Sequence, residues 1–253
     1  MCGRFVSTTT PTDLAQLLRA SSWPTTETLA PSWNVAPTDG ILAAMERVDH
    51  DTGELTRQVR VLRWGLVPSW SKDPKSGARM INARVETAHE KPAFRKAFKE
   101  RRCVIPADGY YEWKPVPATV SGKAFKQPYY LHRPDGEQLL MAGLYEFWRD
   151  PTVPDDDPAA WLATCTILTT EATDTAGRIH DRMPVTLHPD ALDTWLDPDT
   201  TDPGPLRDLL HAPAAELTVH PVATTVSNVR SDGPQLLAEV EDPLPGTAGG
   251  HFS

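Results

Sequence analysis

Cysteine is scarce in this chain: Cys2, Cys103 and Cys165 are three in 253 residues, widely separated and odd in number. That argues against a disulfide framework and for a reducing compartment. Long apolar runs are missing too. No stretch of about eighteen apolar residues occurs, and no basic segment followed by an apolar one opens the chain. Neither a membrane span nor a secretory signal is indicated, so a soluble, cytoplasmic protein is expected. CxxC, HExxH, GxGxxG and the P-loop are all absent, as is any fixed-period repeat. No metal or other cofactor is therefore expected.

The net charge of −9 would ordinarily count against a nucleic-acid partner, but it is unevenly placed. Residues 57–102 hold thirteen Lys or Arg against four Asp or Glu, a local balance of +9 that leaves −18 on the remainder. Such asymmetry can draw a polyanion to one face. A solvated, lysine-rich helix near residues 90–102 would give the same count.

The length suffices for a substantial core. Leu14, Leu17 and Leu18 have helical spacing after Pro11 and Thr12, predicting a short helix over 12–20. Ile41–Arg47 and Gln58–Leu66 read as a hairpin around the polar loop 49–53. Extended segments follow at 103–106, 110–114, 129–132, 139–146 and 163–169, with helices near 92–100 and 188–196, the second opening at Pro189. Many strands, few helices and 25 prolines predict an α+β fold: a curved, largely antiparallel sheet or barrel-like core with a few short helices. A single domain over 1–240 and a flexible tail over 241–253 are expected.

The N-terminus carries the most specific chemistry. If Met1 is removed from Met1-Cys2-Gly3-Arg4-Phe5, the new terminus bears an amine and a thiol on adjacent carbons. This pair can condense with an aldehyde through nitrogen and close through sulfur to a thiazolidine; an interior cysteine cannot. Unperturbed groups of these types titrate near ~8 and ~8.5, so neutral amine and thiolate are both accessible near neutrality. By position alone, Cys2 could equally be an ordinary residue at a frayed end.

Three further segments place reactive side chains amid apolar or glycine-rich sequence: Met80-Ile81-Asn82-Ala83-Arg84-Val85-Glu86-Thr87, Ala107-Asp108-Gly109-Tyr110-Tyr111-Glu112-Trp113 and Ile179-His180-Asp181-Arg182-Met183-Pro184. With the N-terminal segment, and in this order, they resemble the SOS response-associated peptidase (SRAP) family, from Met1 to about residue 240. Supporting pieces are Trp33-Asn34-Val35-Ala36-Pro37, the Trp64 to Trp70 run and Val226-Ser227-Asn228-Val229.

The resemblance implies an abasic-site sensor that crosslinks to single-stranded DNA through Cys2. Glu112 is then the acid–base group that helps open the sugar hemiacetal, His180 a proton relay, and Asn82 a hydrogen-bonding anchor for the aldehyde oxygen or the terminal amine. Arg4, Arg84 and Arg182 would contact phosphate, with Asn34 and Thr169 assisting, while Trp70 and Pro37 offer apolar faces to bases. The expected partner is single-stranded DNA containing abasic sites, bound by a monomer. Two alternatives stand beside this reading. One is an N-terminal cysteine peptidase with Cys2 as nucleophile and His180 as base, whose substrate could be Met1 alone. The other is a non-covalent single-strand binder.

Overall fold

A computed structural model describes residues 2–21, 27–48, 53–154 and 156–244. The strands are β1 (Phe5–Ser7), β2 (Ser32–Val35), β3 (Gly40–Val48), β4 (Leu55–Trp64), β5 (Asn82–Arg84), β6 (Arg102–Ala107), β7 (Gly109–Val116), β8 (Phe125–His132), β9 (Leu139–Arg149), β10 (Trp161–Glu171), β11 (Arg182–Pro184) and β12 (Thr218–Pro221). The helices are short: α1 (Pro11–Leu17), α2 (Val85–Ala88), α3 (Arg95–Glu100), α4 (Ala118–Ser121), α5 (Asp174–Gly177), α6 (Leu192–Leu196) and α7 (Pro203–Leu210).

Five strands close on themselves in the order β10, β4, β3, β6, β9 and back to β10. Strand direction cannot alternate all the way round an odd ring, so one neighbouring pair must be parallel. That pair is β4 with β10; the other four are antiparallel. A second, five-stranded sheet runs β12-β8-β7-β1-β2 and is antiparallel throughout. The α+β, barrel-like expectation matches this architecture.

Period-2 side-chain alternation divides the ring between two apolar cores. Leu42, Ala44, Val59 and Val104 pack with Leu14, Phe98, Trp195 and Leu206 from the helices. Their strand neighbours Ile41, Ala43, Met45, Cys103 and Ile105 pack instead with Cys2, Phe5, Tyr110 and Tyr129 of the second sheet. The strands are thus apolar on both faces, and Cys2 belongs to the core that joins the two sheets.

Some boundaries move. The helix expected to open at Pro189 begins as a single 3-10 turn, Pro189–Ala191, before α6. The β7–β8 hairpin pairs out to Val116 and Phe125, beyond the expected 114. Of the loop between β3 and β4, positions 49–52 lie outside the described residues. The expected tail is tied down at its start: the Tyr129 hydroxyl donates to Asp242 at 2.7 Å. Positions 245–253 lie outside the described residues.

Candidate active site around Cys2

Strand pairing brings the N-terminus to Glu112. Phe5 pairs with Tyr110 and Val6 with Gly109 in antiparallel register, and Tyr111 N donates to Arg4 O at 2.9 Å. Continuing this register back sets Gly3 opposite Glu112. Asp108 fixes the other end of β1 by accepting from Thr8 N at 2.6 Å and from the Thr9 hydroxyl at 3.0 Å.

Asn82 arrives from a different direction. Gly65 has φ +122°, and a Cβ there would lie 2.6 Å from Gly77 O. Only two glycines can cross so closely. The crossing turns the chain back so that β5 lies parallel to β10, with Asn82 paired to Ile167. From this position Asn82 Nδ2 donates to Cys2 O at 2.7 Å. Its Oδ1 is buried and accepts no hydrogen bond from the described residues. An amide oxygen left in this state costs about 1–3 kcal/mol, so it marks a place where a donor is due.

Burial and the Glu112 carboxylate oppose ionisation of the Cys2 thiol. Cys2 is fully buried; burial first, and the neighbouring Glu112 carboxylate second, push the thiol pKa up. Both effects disfavour the thiolate relative to an unperturbed cysteine. Glu112 is 4 % exposed, and desolvation by burial raises its pKa. A carboxyl so placed can hold and release a proton closer to neutrality. Tyr110, two residues along the same strand and so on the same face, is buried beside both; burial, then Cys2 and Glu112, hold its phenol well above the ordinary range.

His180 Nδ1 lies 3.0 Å from the Arg182 backbone N–H and 2.7 Å from Asp181 Oδ1. The first contact needs a lone pair on Nδ1 and the second a proton. The Asp181 side chain is 85 % exposed and can turn into solvent, whereas the backbone donor is fixed. The backbone bond therefore governs, and Nδ1 serves as its acceptor.

A family model described as SOS response associated peptidase (SRAP) matches residues 1–229. The chain belongs to the SRAP family. Among SRAP relatives, it is 38 % identical over 239 residues to the abasic site processing protein YoqW of Bacillus subtilis (strain 168), covering 94 % of this chain and 99 % of that one. It is 31 % identical to the abasic site processing protein HMCES of Xenopus tropicalis, covering 95 % and 78 %. Of solved structures, a phage-related protein from Bordetella bronchiseptica superposes with TM-score 0.62 at 31 % identity over 87 % of this chain and 94 % of that one. A protein from Bacteroides thetaiotaomicron shares the fold at TM-score 0.75 and 23 % identity, covering 95 % and 100 %.

Within this SRAP site the residues expected to contact DNA divide sharply. Arg84 and Trp70 are exposed, Trp70 at 67 %, and Pro37 is half-buried. The other four have protein partners. Asn34 is buried; its Nδ2 reaches the carbonyls of Val226, Asn228 and Ser231, and its Oδ1 accepts from Arg4 at 2.8 Å. Arg4 also donates to Val226 O at 3.0 Å and stacks 5.9 Å from the Trp113 ring centroid. Arg182 forms a two-pronged pair with Glu86 at 2.7 and 2.9 Å and donates to Thr169 O. Thr169 is 1 % exposed. Of the three guanidinium groups expected around one site, Arg84 is the exposed member, while Arg4 and Arg182 hold protein partners.

The basic segment is likewise partly structural. Arg57 is buried against Glu46 and Asp193, and Arg102 donates to the carbonyls of Phe98, Lys99 and Trp195 at the ends of α3 and α6. The sequence reading missed Tyr110 and Glu86 as neighbours of the site. Strand alternation from Glu112 would have found Tyr110; the Glu86–Arg182 pairing, 96 positions apart, left no local signal.

Proposed function

We propose that this protein captures abasic sites in single-stranded DNA covalently, through a thiazolidine formed by Cys2 after Met1 is removed. The observation that carries the reading is the Asn82 side chain, bonded through Nδ2 to Cys2 O and holding a buried Oδ1 with no donor among the described residues. A terminal amine on Cys2 is the donor that the oxygen lacks. The relatives named as abasic site processing proteins support the same assignment.

The chemistry needs no thiolate at the outset. The amine adds to the ring-opened aldehyde, and the carbinolamine loses water to give an imine. Sulfur then adds to the imine carbon while the thiol proton is passed to nitrogen. One water leaves in total and nothing is oxidised. Glu112, with its raised pKa, is suited to protonate the departing hydroxyl and to accept the thiol proton. A peptidase acting through Cys2 would begin instead from a thiolate, which burial and Glu112 both disfavour.

The test uses protein whose intact mass establishes loss of Met1, incubated with an oligonucleotide carrying one abasic site. A denaturation-resistant adduct is expected, and none with Cys2→Ala. An adduct that persists in that variant sinks the assignment, and equal affinity for intact and abasic strands without any adduct selects a non-covalent binder.

A further inference from the structure

Away from Cys2, at the opposite end of β10, lies a cleft of about 630 Å³ bounded by Arg47, Lys96, Arg101, Phe147 and Trp161. Trp161 is 54 % exposed. Phe147 lies opposite Ala163 on the paired strand, so it shares a sheet face with Trp161. The Arg47 guanidinium sits 4.7 Å from the Phe147 ring centroid, while Arg101 is paired to Glu146 at 2.7 Å. Three cations therefore face one carboxylate in a chain whose total charge is −9.

Ser69 also lines this cleft, and Trp70 follows it in the chain. That loop is held to the ring by Trp148 Nε1 donating to Ser71 O at 2.7 Å and by Val67 N donating to Thr164 Oγ1 at 2.9 Å. Trp161 thus lines the cleft, and the exposed Trp70 is the chain neighbour of its lining residue Ser69. Trp161 precedes Ile167, the partner of Asn82, by six residues on β10, which is roughly 20 Å at ~3.3 Å per residue.

We propose that this cleft is a second contact site for single-stranded nucleic acid, receiving the strand that runs from Cys2 past Trp70. Aromatic faces accept bases of any identity and the cations accept phosphates, the combination that single-strand grooves use. A large exposed tryptophan beside cations has no comparable role within the fold. The inference rests on the reading of Cys2 as a site for single-stranded DNA.

The test compares undamaged oligonucleotides by fluorescence anisotropy, one of about two nucleotides and one of about twenty-five, chosen to fall short of and to exceed the roughly 20 Å span. Trp161→Ala combined with Lys96→Ala should weaken the long strand about tenfold and leave the short one unchanged, with Trp161→Phe retaining most of the affinity. Lys96→Ala alone should make the log–log salt slope shallower by about 0.7, the value for one fewer phosphate neutralised on a single strand. Adduct formation with a short abasic oligonucleotide should be unaffected. Unchanged long-strand affinity, or equal loss for both lengths, overturns the cleft. So does competition by polyglutamate that matches an oligonucleotide of equal charge, which would assign the cleft to acidic peptide. Failure of the unmodified protein to form any adduct, by contrast, overturns the reading of Cys2 and leaves the affinity comparison standing.

Discussion

Asn82 holds the backbone of Cys2 by a 2.7 Å hydrogen bond that spans 80 positions of sequence. The bond fixes the Cys2 backbone, and the buried Oδ1 beside it offers an acceptor to the amine that loss of Met1 would expose. Asn82→Ala should therefore slow adduct formation with an abasic oligonucleotide by about 10- to 100-fold, in line with the removal of a positioning group. Asn82→Asp should restore the acceptor while losing the donor to Cys2 O, and so recover part of the rate. Equal rates for Asn82→Ala and the unmodified protein would remove Asn82 from the site.

Glu112 links the chemistry to stability. Its folded pKa is raised by burial, so the native state holds a proton that the unfolded state releases between the ordinary glutamate value of ~4.3 and the folded value. Stability then falls as pH rises through that window, and the penalty is full above it. Glu112→Gln should raise the Tm by about 2–4 °C at neutral pH, equivalent to about 1 kcal/mol, with the gain vanishing below pH ~4. The same variant should form adduct slowly because it cannot move a proton. A lower Tm at neutral pH would show that the carboxylate is held charged in the native state.

Asn34 and Arg84, both tied to DNA by the family resemblance, should separate cleanly in experiment. Asn34 joins Arg4 to the carbonyls of Val226, Asn228 and Ser231, so Asn34→Ala should cost about 2 kcal/mol and lower the Tm by about 4–8 °C. Arg84 is exposed on a short strand edge. Arg84→Ala should leave the Tm within about 1 °C and weaken single-strand affinity several-fold, more at low salt than at high.

The contrast explains what could be read from the chain beforehand. Strand periodicity and turn residues marked most elements, because each strand is continuous and its neighbours in sequence are often its neighbours in the sheet, as in β3 with β4 and β7 with β8. The closed ring was not legible as such, since its closure through β9 and β10 and its parallel pair depend on long-range register. Cys2, Asn82, Glu112 and His180 stood out as residue types in motifs. Whether an arginine is offered to solvent or committed to a carboxylate depends on partners far along the chain. Arg4 and Arg182 looked equivalent to Arg84 for that reason, as did the buried Arg57 and Arg102 within the basic segment.

Arg182 gives the sharpest check on that distinction. Its guanidinium is held by both oxygens of Glu86 and by Thr169 O, and its backbone N–H fixes the His180 ring. Glu86 is itself held below the usual carboxylate range, chiefly by the hydrogen bonds from Arg182. Below that lowered pKa the pair dissolves, so its contribution is present above the ordinary glutamate value and is lost as pH falls through the folded one. Glu86→Gln removes the charge from this pair and frees the guanidinium toward an incoming phosphate. The variant should lose about 1 kcal/mol of stability at neutral pH, judged by thermal unfolding, yet bind an undamaged single strand several-fold more tightly. Weaker strand binding by Glu86→Gln would mean that Arg182 serves DNA only while Glu86 holds it in place, and would turn the pair from a restraint on the cation into its support.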